Sequence, residues 1–296
     1  MTRTIPASLA HVVRAAVLAV VAVLLIPAAF AQDASALRAR QAALHDRFSS
    51  NPFGRPLVLE STQTSSGLRG DVYAIVDHPF SAVQPALQSI DHWCDILILH
   101  LNVKHCRANS ANKTINLRVG RKFDQPIEDA YELDFKFAVA AATTDYLQIL
   151  LTAKDGPLST KDYRIQVEAI PSGDGKSLIH MSYAYGYGFA ARLAMETYLA
   201  TIGRDKVGFS VVDHKNGKPV YVGGVLGLLE RNTMRYYLAI DAFLDAASLP
   251  AAQQPEQRIR DWYASTERYA RQLHEMDEND YLDMKRKEIR LDRKPG

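Results

Sequence analysis

Apolar and polar positions alternate with period two through most of the middle of the chain. In "TINLRVG", Ile115, Leu117 and Val119 fall on one side and Thr114, Asn116 and Arg118 on the other. "YELDFKFAV" sets Tyr131, Leu133, Phe135, Phe137 and Val139 against Glu132, Asp134 and Lys136. "DYRIQVEAI" sets Tyr163, Ile165, Val167 and Ala169 against Arg164, Gln166 and Glu168. "LIHMSYAYGYG" gathers Ile179, Met181, Tyr183, Tyr185 and Tyr187, with His180 on the other side, and "DYLQILLTA" reads as a less regular strand. This period predicts strands with one face buried and one in water. The connecting "KDGPLST" and "PSGDGKS" are short and turn-rich, so the sheet is expected to be antiparallel. Two further strand-like segments, Leu57 to Gln63 and Gly70 to Val76, flank the hairpin-like "TSSGLRG".

Elsewhere the period is helical. Leu37, Ala43, Leu44 and Phe48 predict a helix from Asp33 to Phe48, stopped by "SSNPFGRP". Phe80, Val83, Leu87 and Ile90 form an amphipathic stripe that Pro85 is expected to kink or split. A helix is predicted from Phe189 to Gly203, then a short extended or turn region over "KVGFSVVDHKNGKPVYVGG". From Val225 to Ala247 runs a long helix with one broad side of Leu226, Leu229, Thr233, Tyr236, Tyr237, Ile240 and Leu244. Another is predicted from Glu256 to Met276, and the last twenty residues, highly charged, are expected to be exposed or frayed. Strands segregated from helices argue an α+β fold in which the long helix covers the apolar face of the sheet.

Composition changes the picture at one end. Arg3 and Arg14 precede the apolar run Ala15 to Ile26, Pro27 breaks it, and "AFA" at Ala29 to Ala31 offers small residues for cleavage. That order predicts a signal peptide over residues 1–31 and a periplasmic or secreted protein. The run is shorter than the ~20 apolar residues a spanning helix needs. The remainder divides into an N-terminal helix and linker (32–56), a main domain (57–247) and a C-terminal helical extension (248–296). The formal charge of +2 falls to zero once Arg3 and Arg14 are removed, which argues against a nucleic-acid partner. An apolar fraction of 47% is enough for a packed core.

Export bears on "DHWCDILILHLNVKHC", which holds both cysteines, Cys94 and Cys106, and three histidines. A disulfide is the simplest reading outside the cytosol. Free buried thiols, a metal site and a thiol nucleophile remain open alternatives, although the spacing matches no standard zinc motif. His100 and His105 would face opposite ways if the segment were one strand. No nucleophile elbow, phosphate-binding glycine loop, "HExxH" or dinucleotide fingerprint is present, so no cofactor or metal is expected.

"GDVYAIVDHPFSAVQPALQSIDHWCDIL" resembles the opening of the START-like, helix-grip (Bet v1-like) superfamily through Val72, Ala74, Val76, His78, Pro79, Phe80, Val83, Leu87 and Trp93. The resemblance covers Leu57 to Ala247. It implies a curved antiparallel sheet around the long C-terminal helix, with a ligand cavity between them. The wall would come from Phe135, Phe137, Ile165, Val167, Met181, Tyr183 and Tyr185, facing Leu229, Thr233, Tyr236, Tyr237 and Ile240. Such a site suits a hydrophobic small molecule, above all a lipid: ~14 methylenes leaving water gain on the order of 10 kcal/mol. The same alternation equally suits a solid core, and periodicity does not separate the two. Two further readings stand beside a carrier. One is a cyclase-like enzyme using Tyr183, Tyr185, His180 or Arg235. The other is an envelope module whose C-terminal helices dock a protein partner. Arg231 and Arg235, one helical turn apart, form a candidate anion contact.

Overall fold

The computed structural model describes residues 26–188 and 205–292. The basic start and most of the apolar run of the expected signal peptide lie outside these residues, as does the helix expected from Phe189 to Gly203. The chain divides into two compact units, residues 1–45 and 46–296. The described part of the first is a helix, α1 (Ile26–Ala43), so the expected processing point after Ala31 falls inside a helix. No helix among the described residues is long and apolar enough to cross a membrane.

The second unit starts with the short α2 (His45–Ser49) and a hairpin, β1 (Leu57–Gln63) and β2 (Gly67–Val76). Two short helices follow, α3 (Phe80–Gln88) and α4 (Ile90–Leu97). Six strands then run as a meander: β3 (Val103–Asn109), β4 (Thr114–Val119), β5 (Tyr131–Ala142), β6 (Leu147–Asp155), β7 (Thr160–Gly173) and β8 (Lys176–Tyr187). The sheet is antiparallel, in the order β1-β2-β8-β7-β6-β5-β4-β3. The helix pair α3–α4 therefore carries the chain from one side of the sheet to the other edge. Irregularities in the β3–β4, β5–β6 and β7–β8 pairings bend it. The β7–β8 turn places Asp174 and Gly175 at positive φ, the conformation of a tight two-residue hairpin.

A separate hairpin, β9 (Val211–Lys215) and β10 (Lys218–Tyr221), turns at Asn216 and Gly217, both at positive φ. It precedes the long helix α5 (Gly224–Ala246), which begins and ends within one residue of the sequence expectation. Three helices close the chain: α6 (Gln254–Glu267), α7 (Ala270–Leu273) and α8 (Glu278–Asp292).

Register shows which residues share a face. Ser61, Gly70, Tyr183, Ile165, Leu151 and Phe137 form one continuous cross-strand row. Helix α5 meets this row at its β1–β2 end. A Cβ on Gly70 would overlap the Thr233 Oγ1 and stand 3.1 Å from the Thr233 Cβ. Nearby, Ser61 Oγ donates to Glu230 at 2.6 Å. At the other end of the row Phe137 meets Trp93 of α4, ring centroids 6.5 Å apart. Glu230 is fully buried but satisfied, since Ser61, the backbone N–H groups of Phe209 and Ser210, and Ser210 Oγ all donate to it. It therefore anchors the segment leading into β9, and a buried carboxylate is tolerated at this price only because every lone pair is used.

Four expectations need correction. Pro85 sits inside α3 and the break comes later, at Ser89, between α3 and α4. The stretch "ILILHLN" is not extended: its start completes α4 and the rest forms the turn into β3, so the condition under which His100 and His105 would face opposite ways is not met. The helix expected from Glu256 to Met276 ends at Glu267, and a separate turn of helix follows. Within the last twenty residues, the described α8 is not frayed, because it buries Tyr281, Leu282, Met284, Lys285 and Glu288. Two of its charges, Lys285 and Glu288, turn inward. Lys285 Nζ donates to His100 O, Val103 O and Glu288, filling all three donor positions. Lys104 shares the same carboxylate at 3.1 Å. Tyr281 donates to Leu99 O, and Trp262 donates to Arg235 O. Charge counts cannot distinguish a solvated face from one of this kind, because pairing needs partners about 180 positions away.

Candidate functional site

The two cysteines form a disulfide joining α4 to β3, Cys94–Cys106. The three histidines of that stretch diverge. His92 bonds Ala86 O, His105 pairs with Asp292, and His100 is buried in the turn after α4.

Most of the expected site residues lie on one side of the sheet. Phe135, Phe137, Ile165, Val167, Met181, Tyr183 and Tyr185 are all buried there. From α5, Tyr236 reaches the same region, its ring 5.1 Å from that of Tyr183. Leu229 and Ile240 are buried in the core. Thr233 instead packs on Gly70 and donates its hydroxyl to Leu229 O. Tyr237 turns to Arg55 and Asp241, accepting from Arg55 Nη2 at 2.9 Å. Asp241 also holds the Arg55 guanidinium through both its oxygens.

A continuous array of rings results. Tyr185 stacks on Tyr163 at 5.3 Å, and both lie near Tyr183, at 5.6 and 6.3 Å. Tyr183 leads to Tyr236, which stacks on the His100 imidazole at 4.6 Å. Tyr163 and His100 were not among the expected site residues. The alternation of β7 already placed Tyr163 on the correct face, whereas His100 carried no local signal. Gly156 is required here, since a Cβ at that position would overlap the Tyr163 ring.

Three hydroxyls of this array differ from other tyrosine hydroxyls, that of Tyr163 within the array included. Tyr163 bonds Thr160, Tyr187 bonds Thr64 O, Tyr269 bonds Phe53 O and Tyr281 bonds Leu99 O. Among the described residues, no hydrogen bond reaches the hydroxyl of Tyr183, Tyr185 or Tyr236. Burial raises all three above the usual phenol range, so they stay protonated and can donate as well as accept.

Beyond Tyr236 the surroundings turn polar and positive. Arg235 Nη2 donates to Glu275 at 2.8 Å and to Leu273 O at 3.1 Å. Lys122 and Lys206 reach the same carboxylate. Burial would raise Glu275, but the Arg235 and Lys122 charges prevail and hold it at about 2. Burial, with Arg235 next, brings Lys122 down to about 8. Arg231, one turn away, donates to Val207 O at 3.2 Å.

His180 lies on the opposite face of the sheet. Its ring stacks on Tyr73, with centroids 4.3 Å apart, and bridges Asp71 and Glu168 at 2.8 and 2.7 Å. Arg69 binds Asp71, and Tyr146 donates to Glu168. Both imidazole nitrogens are thus engaged, and of the cyclase candidates His180 does not join Tyr183 and Tyr185, which lie on the other face of the sheet. A separate open cleft of about 570 Å³, lined by His105, Arg107, Asn116, Arg118, Ile127 and Leu291, lies on the face of β3–β4 opposite Cys106 and Leu117.

No family model matches the chain, and no curated protein does. Among solved structures it is similar to a truncated norcoclaurine synthase from Thalictrum flavum, with 16% identity over 48% of this chain and 89% of that one, at a TM-score of 0.33. It is similar to a conserved protein from Geobacillus kaustophilus, with 11% identity over 46% and 85%, at 0.31. A conserved protein of unknown function from Enterococcus faecalis aligns over 83% and 96% with 7% identity, at 0.31. At these scores the likenesses say nothing of activity or ligand.

Proposed function

We propose that this chain is an exported, START-like helix-grip protein that binds a hydrophobic small molecule, a lipid, between the sheet and α5. The observation that carries this reading is the array Tyr185–Tyr163–Tyr183–Tyr236–His100 on the inner side of the sheet, in which the Tyr183, Tyr185 and Tyr236 hydroxyls make no hydrogen bond to the described residues. A few such hydroxyls among Phe135, Phe137, Ile165 and Met181 have the composition of a small-molecule site, apolar walls with sparse polar groups for orientation.

The order of elements supports the helix-grip reading: a strand, two short helices, a six-strand meander and a long helix. The disulfide and the N-terminal apolar run support export. For the enzymatic reading, His180 lies on the other face of the sheet from the tyrosines, and the imidazole that meets the array is that of His100. Docking of an envelope partner would fall to the outer, charged faces of α6 and α8, because their apolar faces are buried in the domain.

Purification of the protein from its native host, solvent extraction and mass spectrometry should reveal a lipid enriched over a mock preparation. Failure to enrich any lipid, together with failure to bind fluorescent fatty acids or sterols, removes the reading.

A further inference from the structure

We propose, resting on the reading above, that the His100 end of the array takes a carboxylate head group, so that the ligand is an anionic amphiphile of the fatty-acid class. Its apolar body would lie along the phenol rings. His100 is 2% exposed. Its Nδ1 accepts the backbone N–H of Asn102 at 3.2 Å. The proton of the neutral ring therefore sits on Nε2, and that N–H has no hydrogen-bond partner. The Asn232 side chain lies beside the ring without closing a bond of ordinary geometry.

Arg235 presents a second such donor. It is fully buried, and its Nε–H has no acceptor. Its Nη2 is committed to Glu275 and Leu273 O, while Nη1 has Asn232 at 3.5 Å, the outer limit of a hydrogen bond. Two unpaired N–H groups on neighbouring side chains ask for an acceptor that the described residues do not supply.

The charge of the surroundings selects the acceptor. Arg235, Lys122 and Lys206 converge on the one carboxylate of Glu275, and Lys104 and Lys285 share Glu288. Burial, then the charges of Arg235, Lys285 and Lys122, hold His100 well below the usual imidazole range, so it donates as a neutral ring. The cations around Arg235, of which Lys122 and Lys206 stay partly exposed, outnumber the carboxylate that meets them, and an anionic ligand balances that surplus where an alcohol or ester does not. A carboxylate brings one negative charge and two acceptor oxygens, one for each free donor.

The test is calorimetric titration of the full chain with dodecanoate, dodecanol and methyl dodecanoate at pH 7. Dodecanoate is expected to bind at least about tenfold more tightly than the other two. His100→Phe keeps the stack on Tyr236 and removes the donor. It is expected to weaken dodecanoate by about tenfold and to leave dodecanol within about twofold. Arg235→Gln should act in the same direction, and if that variant does not fold, His100→Phe decides. Equal affinity for acid and alcohol, or equal weakening of both by His100→Phe, overturns the head-group assignment and leaves the hydrophobic site standing. Binding of none of the three overturns both.

Discussion

Replacing Gly70 with alanine tests whether α5 is seated directly on the sheet. The new Cβ would overlap the Thr233 Oγ1 and stand 3.1 and 3.2 Å from the Thr233 Cβ and Cγ2. Rotating Thr233 gives little relief, because its Cβ is itself too close and its hydroxyl is already bonded to Leu229 O at 2.9 Å. Thr233 is fully buried, so the helix must lift or the strand must bow. Overpacking of this kind costs about 1–3 kcal/mol. At about 2 kcal/mol, a unit of this size loses roughly 4–8 °C in Tm. Thr233→Ala removes the two flexible atoms and opens room at the same point. The double variant Gly70→Ala/Thr233→Ala is therefore expected to be more stable than the sum of the single changes by about 1 kcal/mol or more. Urea and thermal unfolding by circular dichroism read all four corners of the cycle. The argument also reaches the ring array, since Gly70 pairs with Tyr183 and a lifted α5 draws Tyr236 away from it. A Gly70→Ala protein as stable as the parent, with no coupling to position 233, would refute the seating of the helix.

Two further outcomes follow from the geometry. For the His180 cluster, burial alone would lower the imidazole, but hydrogen bonds to Asp71 and Glu168 prevail and raise it. Burial would likewise raise Asp71, but His180 and then Arg69 bring it to about 2; Glu168 is lowered by His180 and Tyr146 against the same burial. The histidine contribution is complete below its unfolded value of about 6.5 and is lost as pH rises through the raised folded value. The carboxylate contributions are present above about 4–4.5 and are lost as pH falls toward the lowered values, about 2 for Asp71. Stability should therefore decline as pH rises above about 6.5 and through the raised folded value, and His180→Asn should flatten that limb in unfolding measured from pH 5 to 9. Separately, Cys94→Ser/Cys106→Ser should lower unfolding free energy by about 2–4 kcal/mol in denaturant titration, from the closed loop alone. A loss below about 0.5 kcal/mol would mean that α8 already fixes α4 against β3.

The period-two segments determined the strands and their buried faces without help from the rest of the chain. Side-chain direction alternates along any strand, so Ile179, Met181, Tyr183, Tyr185 and Tyr187 had to share a side. The length and apolar width of Gly224–Ala246 likewise announced the long helix, and two cysteines behind a start patterned like a signal peptide favoured their bridge. Local signals go no further. That Gly70 is a seat for Thr233, that Tyr237 faces Arg55 while Tyr236 faces Tyr183, and that α8 buries Lys285 against the carbonyl of His100 depend on contacts between residues 50 to 190 positions apart. The same charge-rich composition suits a solvated tail or a buried network, and only the packing of α8 onto the turn after α4 chose the second. His100 is the plainest case. Its sequence neighbours suggest core and no more, yet the disulfide, Lys285 and Tyr281 hold that turn inward and set the ring beside Tyr236 and Arg235.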